Sequence, residues 1–123
     1  MSLSRIEARA LAAQADPYDR IAIIGSGSWG TALASVAARA GRQVIVWGRD
    51  AETVEAIRTL HENPKYLPDV ALPDGIEATT DMAEALKGAQ AVLIVTPSKT
   101  LRDICARMKP HLEPGVPVAL CAK

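Results

Sequence analysis

Ile21-Ala22-Ile23-Ile24-Gly25-Ser26-Gly27-Ser28-Trp29-Gly30 is the stretch that decides the fold of this chain. Its first four residues form a short continuous apolar run stopped by glycine, the pattern of a strand buried on both faces. The next six spell G-x-G-x-x-G, and helical period begins within them: Trp29, Ala32, Leu33, Val36, Ala37 and Ala40 share one predicted face. Gly41 is the expected C′ residue of that helix. A glycine-rich turn that leaves a strand and opens a helix has the makings of a phosphate cradle. Gly25 allows the tight turn, Gly27 lets the backbone approach a pyrophosphate with no Cβ in the way, and Gly30 lets the helix pack closely on the sheet. The free N–H groups of the first helical turn and the helix dipole then favour a bound anion.

Outward from this unit the same alternation repeats. Val44-Ile45-Val46-Trp47 is a second buried strand, followed by a helix with Val54, Ile57 and Leu60 that Asp50 is placed to cap. Ile76-Glu77-Ala78-Thr79 is a third strand. Asp81 with Glu84 then resembles a capping box, ahead of Met82, Ala85, Leu86 and Ala89. Ala91-Val92-Leu93-Ile94-Val95 is the clearest strand; Ser98 is placed to cap a helix with Leu101, Ile104, Cys105 and Met108 on one face. Val118-Ala119-Leu120-Cys121 begins a fifth strand. Residues 61–75, with Pro64, Pro68 and Pro73, predict a long irregular loop of the kind that is often functional. Ahead of the first strand, Ser4 to Ala15 predicts a short helix that Asp16-Pro17 ends.

Strands alternating with helices imply an α/β fold. The expectation is a doubly wound parallel sheet, the Rossmann fold, with five strands of an incomplete domain in the order 3-2-1-4-5. The domain is expected over residues 20–123, after an N-terminal helical extension over 1–19.

The 123 residues fit one domain and a genuine core, and the hydrophobic fraction of 49% argues against disorder. The chain has no Phe, so its core must be aliphatic. Lys+Arg and Asp+Glu are both 14, without a basic block, so no nucleic-acid or membrane partner is expected. No apolar run approaches a membrane span, and no signal peptide opens the chain. Cys105 and Cys121, 16 apart without a CxxC, suggest two buried thiols in a reducing, cytoplasmic setting, with neither a disulfide framework nor a metal site.

The end of the second strand bears on the choice of dinucleotide. An acid usually stands roughly 20 residues past the glycines when the ribose 2′-hydroxyl is to be bound. Here Gly48 and Arg49 follow Trp47, and a guanidinium without a carboxylate suits a 2′-phosphate. Asp50 could serve as the ribose acid, although helix capping explains it as well. NADP is therefore expected, with NAD also open. Pro97 and Ser98, at the end of the fourth strand, should lie near the cofactor. His61 and His111 sit among prolines and are expected in loops.

Several segments together resemble NAD(P)-dependent glycerol-3-phosphate dehydrogenase. Gly25-Ser-Gly-Ser-Trp-Gly-Thr-Ala-Leu-Ala34 is similar to that family's nucleotide-binding signature. Val46-Trp47-Gly48-Arg49 resembles its second-strand ending, and His61 to Pro68 resembles its N-x-x-Y-L-P loop. Val95-Thr96-Pro97-Ser98 resembles its V-P-S turn with Thr96 inserted, and Cys121-Ala122-Lys123 the start of its C-x-K-G-I segment. The resemblance implies that Ser28 and Trp29 contact the dinucleotide, Arg49 faces the adenosine ribose, and Tyr66 approaches the cofactor from the long loop. It implies that Lys123 contacts both the nicotinamide end and the substrate. The implied reaction is hydride transfer between dihydroxyacetone phosphate and sn-glycerol 3-phosphate, feeding glycerophospholipid synthesis. The family's proton-transfer lysine would belong to a C-terminal substrate domain absent from this chain, so no catalytic residue is expected within it. The chain alone is expected to turn over nothing, and a homodimer is the candidate assembly of the complete enzyme. The competing readings are a non-catalytic dinucleotide-sensing module, and another Rossmann dehydrogenase such as a ketopantoate reductase or a 3-hydroxyacyl-CoA dehydrogenase.

Overall fold

The computed structural model describes residues 19–121. The helix expected near the N-terminus, and Lys123, lie outside the described residues. In chain order the elements are β1 (Arg20–Ile24), α1 (Ser28–Arg39), β2 (Gln43–Trp47), α2 (Ala51–Leu60), β3 (Glu62–Asn63), β4 (Leu67–Ala71) and β5 (Ile76–Thr79). There follow α3 (Met82–Leu86), β6 (Ala91–Ile94), a 3₁₀ turn (Ser98–Thr100), α4 (Leu101–Met108), a second 3₁₀ turn (Lys109–His111) and β7 (Val118–Leu120).

Five strands form one parallel sheet in the order β5-β2-β1-β6-β7, the predicted 3-2-1-4-5 arrangement when its strands alone are counted. Register levels their carboxyl ends. Ile24 pairs with Trp47 on one side and Ile94 on the other, Trp47 with Thr79, and Ile94 with Leu120. The ladder runs one residue further: Gly25 N–H donates to Trp47 O (2.8 Å), Gly48 to Thr79 O (3.1 Å), Val95 to Ile24 O (2.8 Å) and Cys121 to Ile94 O (2.8 Å). Gly25, Gly48, Val95 and Cys121 thus stand in one row along the top of the sheet.

Alternating strand side chains feed two cores. Ala22, Ile24, Ile45, Trp47, Val92 and Ile94 meet α3 and α4 through Met82, Ala85, Leu86, Ile104 and Met108. Ile23, Val44, Val46, Ile76 and Ala78 meet α1 and α2 through Ala34, Val54 and Ile57. Both cores are mainly aliphatic, as a chain without Phe requires; the large exception is Trp47, 2% exposed, whose Nε1 donates to Thr80 O at 3.0 Å.

Several expectations need correction. Residues 61–75 hold an antiparallel ribbon, with Glu62 opposite Ala71 and Asn63 opposite Leu67. Its short, irregular strands, Pro68, and Asp69 at φ 62° hide the alternation that would reveal it. The buried face of α1 is Gly30, Thr31, Ala34 and Ser35, whereas Trp29 and Val36 are 46% and 64% exposed. The helix sits so near the sheet that small residues take the fully buried positions, while Leu33 and Ala37 of the predicted face pack partly buried against the same core. Cys105 is exposed and Cys121 half-buried, against the expected buried thiols. Ile104 and Met108 define the inner face of α4 and leave Cys105 beside it, while Cys121 follows β7, an edge strand that is exposed throughout.

Capping is a mixed outcome. Asp50 caps α2 by accepting from Glu52 N–H (3.1 Å), and Asp81 caps α3 by accepting from Ala83 N–H (2.9 Å). Glu84 does not complete a box; it accepts from Thr79 Oγ1 (3.1 Å), and Asp81 N–H donates to that same hydroxyl (3.0 Å). Ser98 makes no side-chain cap, because the 3₁₀ turn precedes α4 and Thr100 Oγ1 donates to Pro97 O at 2.7 Å.

A Cβ at position 30 would collide with the Gly25 carbonyl. Backbone cannot yield as a flexible side chain does, so Gly30→Ala is expected to cost about 1–3 kcal/mol, the usual range for overpacking. Urea denaturation measures it; an unchanged midpoint would show that α1 is free to stand off the sheet.

Candidate functional site

The level strand ends, the glycine-rich turn and the β3–β4 ribbon enclose a cavity of about 530 Å³. It is lined by Gly25 through Gly30, Trp47 through Asp50, Tyr66, Val95 through Ser98, Thr100 and Cys121. The described residues proposed from sequence for the site (Gly25, Gly27, Ser28, Trp29, Gly30, Arg49, Tyr66 and Pro97) therefore share one cavity.

Its floor is bare backbone with N–H groups unpaired among the described residues. Gly25 has φ +131°, and a Cβ there would press on the Val95 carbonyl at 3.0 Å. Gly27 is the extended N-cap of α1, and a Cβ added to it would meet nothing within 4 Å, so this backbone faces open space. The first bond of the helix is Thr31 N–H to Gly27 O (3.0 Å); among the described residues the N–H groups of Ser28, Trp29 and Gly30 have no acceptor. The first turn of α1 carries no acidic residue. Orphan donors, an uncompensated helix dipole and bare backbone suit a pyrophosphate.

One wall comes from β2. A Cβ on Gly48 would collide with the Ser26 side chain, so this position can hold no carboxylate without displacing the glycine-rich turn. Arg49 stands half-exposed on the rim, and its Nη2 donates to Asp103 Oδ2 at 2.6 Å. Asp50 is occupied several times over: it caps α2 and accepts from Thr53 Oγ1 (2.9 Å) and Lys65 Nζ (2.8 Å). The Lys65 hydrogen bond, with that of Thr53, lowers the Asp50 carboxyl to a pKa of about 2. Its contribution to stability is therefore complete above the ordinary carboxylate range and is lost only as pH falls toward 2. Such engagement favours the capping role of Asp50 over a ribose contact.

The opposite wall hangs on Asn63, the first residue of the N-x-x-Y-L-P resemblance, whose bridging role the sequence did not reveal. Asn63 is fully buried. Its Nδ2 donates to Ser26 O (2.9 Å) and Thr31 Oγ1 (2.8 Å), while its Oδ1 accepts from Tyr66 N–H (3.2 Å). One side chain thus ties the glycine-rich turn, α1 and the Tyr66 segment together. An Asn before Pro reads locally as a turn former, and nothing nearby in sequence marks its distant partners. Tyr66 is 42% exposed at the cavity, with the Lys65 ammonium 5.5 Å from its ring centroid. At the far end, Trp29 Nε1 donates to Cys121 O (3.1 Å), linking the start of α1 to the end of β7. Thr96, two residues past β6, lines the cavity, and its Oγ1 is buried without a hydrogen-bond partner among the described residues. His61 caps the end of α2 and His111 lies in a 3₁₀ turn; both are exposed and outside the cavity.

Parallel topology, helices on both faces and a glycine cradle at the strand ends define a Rossmann-type domain. Residues 20–123 match the family model described as the NAD-dependent glycerol-3-phosphate dehydrogenase N-terminus. The chain belongs to that family. It is 52% identical over 105 residues to glycerol-3-phosphate dehydrogenase [NAD(P)+] of Rhodospirillum rubrum, an alignment covering 85% of this chain and 30% of that protein. The crystal structure of glycerol-3-phosphate dehydrogenase from Coxiella burnetii superimposes with a TM-score of 0.81 at 37% identity, covering 86% of this chain and 33% of that one. A ketopantoate reductase from Ralstonia eutropha is more distant, with a TM-score of 0.62 at 26% identity over 80% of this chain and 32% of its own. The chain thus spans about 30% of the length of the Rhodospirillum relative.

Asn63→Ala would leave Ser26 O, Thr31 Oγ1 and Tyr66 N–H without this partner. The expected loss of stability is roughly 2–4 kcal/mol, since each buried polar group left unpaired costs about 1–3 kcal/mol. Chemical denaturation reads it directly. A loss below about 0.5 kcal/mol, the size of a neutral surface change, would mean that the ribbon is held by other contacts.

Proposed function

We propose that this chain is the cofactor-holding part of an oxidoreductase that interconverts dihydroxyacetone phosphate and sn-glycerol 3-phosphate with NADP or NAD. The observation that carries the proposal is the open space over Gly27, beside the orphan N–H groups of Ser28, Trp29 and Gly30. Family membership gives that opening its chemistry.

When bound, the nicotinamide cofactor supplies or accepts the hydride. The chain's own residues bind and orient it. The first turn of α1 holds the pyrophosphate, and the bare backbone at Gly25 and Gly27 permits close approach. Arg49 takes the adenosine end, where its guanidinium meets a 2′-phosphate. Tyr66, held through Asn63, approaches the cofactor from the ribbon. Pro97 and Ser98 border it at the end of β6, and Trp29 braces the segment that leads to Lys123. Lys123 serves the nicotinamide end and the substrate phosphate or carbonyl.

In this proposal residues 1–19 are an extension and 20–123 the cofactor domain. A following substrate domain supplies the proton-transfer lysine and most contacts to the small-molecule substrate. The product feeds glycerophospholipid synthesis in the cytoplasm. The complete enzyme works as a homodimer, without nucleic-acid or membrane partners.

Arg49→Ala in the complete enzyme tests the adenosine end. Loss of one charge-assisted contact, about 1.5–3 kcal/mol, corresponds to a roughly ten- to hundredfold weaker NADPH complex, with a much smaller change for NADH. Calorimetric titration of both cofactors measures it. Equal losses for the two would remove Arg49 from the 2′-phosphate.

A further inference from the structure

We propose that Asp103 is a specificity-determining residue: its carboxylate competes with the adenosine 2′-phosphate for Arg49 and so sets the balance between NADP and NAD. The inference rests on the placement of Arg49 at the adenosine end.

Asp103 belongs to α4, far from β2 in sequence, and packing brings the two together. Ile104 and Met108 anchor α4 on the core that also holds Trp47, the last residue of β2. Asp103 lies in the first turn of α4, where the helix dipole favours a carboxylate whether or not a cofactor is bound. Its Oδ2 accepts from Arg49 Nη2 at 2.6 Å. The same oxygen is 3.7 Å from Arg107 Nε, one helical turn along. Arg107 in turn lies over the Trp47 ring, 5.8 Å from its centroid. One carboxylate thus stands between two guanidinium groups, of which only Arg49 lines the cavity.

The two cofactors meet this arrangement differently. A 2′-hydroxyl is neutral and leaves the Arg49–Asp103 pair intact. A 2′-phosphate is anionic and needs the donors of Arg49. If Asp103 stays, two anions face one guanidinium; if it swings to Arg107, the short contact to Arg49 is lost. Either course penalises the phosphate alone. The Arg49 and Asp103 side chains are 50% and 59% exposed, so the penalty is modest and falls with added salt.

The test is Asp103→Asn in the complete enzyme, with Kd for NADPH and NADH measured on the same samples beside Arg49→Ala and the double variant. A ratio taken within one sample is independent of how much of the protein is folded. Removing the competitor is expected to raise Kd(NADH)/Kd(NADPH) by roughly two- to fivefold at low ionic strength, the scale of an exposed ion pair. The rise should vanish in the Arg49→Ala background. If Arg49→Ala weakens NADPH selectively while Asp103→Asn leaves the ratio unchanged or lowers it, Asp103 is not a competitor and the cofactor assignment survives. If the Asp103→Asn shift persists without Arg49, the carboxylate acts on the phosphate by another route and the competition is refuted. If neither variant moves the ratio, the placement of Arg49 fails and takes the Asp103 inference with it.

Discussion

The contact between Gly30 and the Gly25 carbonyl governs the architecture of this site. Because position 30 has no Cβ, α1 starts directly over the end of β1 instead of standing clear of it. That closeness selects the small inner face of Gly30, Thr31, Ala34 and Ser35 and turns the larger Trp29 and Val36 outward. It also aims the orphan N–H groups of the first turn into the space above the sheet, where the level register has gathered the ends of β1, β2 and β6. A helix held further out would leave the same glycines in place and lose the cradle.

Around that constraint, acidic and amide side chains hold the binding groups in position. Asp50 fixes the start of α2 and the Lys65 segment together, and Asn63 fixes Tyr66 to the glycine-rich turn. Asp103 reaches Arg49 from the other core. With a formal charge of zero, the molecule has no net charge to draw an anionic dinucleotide, so the proposed attraction is local, from a helix terminus and individual cations. In the proposed reading, the neighbours that orient those cations shape selectivity as well as structure.

The sheet was legible because four of its five parallel strands contain a short apolar run bounded by glycine, proline or a cap, and strict alternation with helices leaves few topologies. The glycine-rich turn was legible because its flanking strand and helix gave the motif its context. Other features depend on partners distant in sequence. The inner face of α1 was only partly legible, in Leu33 and Ala37, because periodicity weighs apolar size, whereas close packing rewards smallness. The β3–β4 ribbon was hidden by Pro68 and by the left-handed Asp69. Asp103 gave no signal, and Asn63 showed only as the first residue of the N-x-x-Y-L-P resemblance, since their partners at Arg49, Ser26 and Thr31 are 54, 37 and 32 residues away. Cys105 looked buried because it neighbours Ile104 on a helix whose true inner stripe is narrow.

The central claim is that the first turn of α1 receives the dinucleotide pyrophosphate. Amide resonances of ¹⁵N-labelled protein titrated with NADPH test it most directly. The account predicts that the largest shifts fall on the Ser28, Trp29 and Gly30 amides, with the Trp29 indole N–H moving alongside them. Saturable binding that leaves those three amides in place while perturbing residues outside the cavity would contradict it.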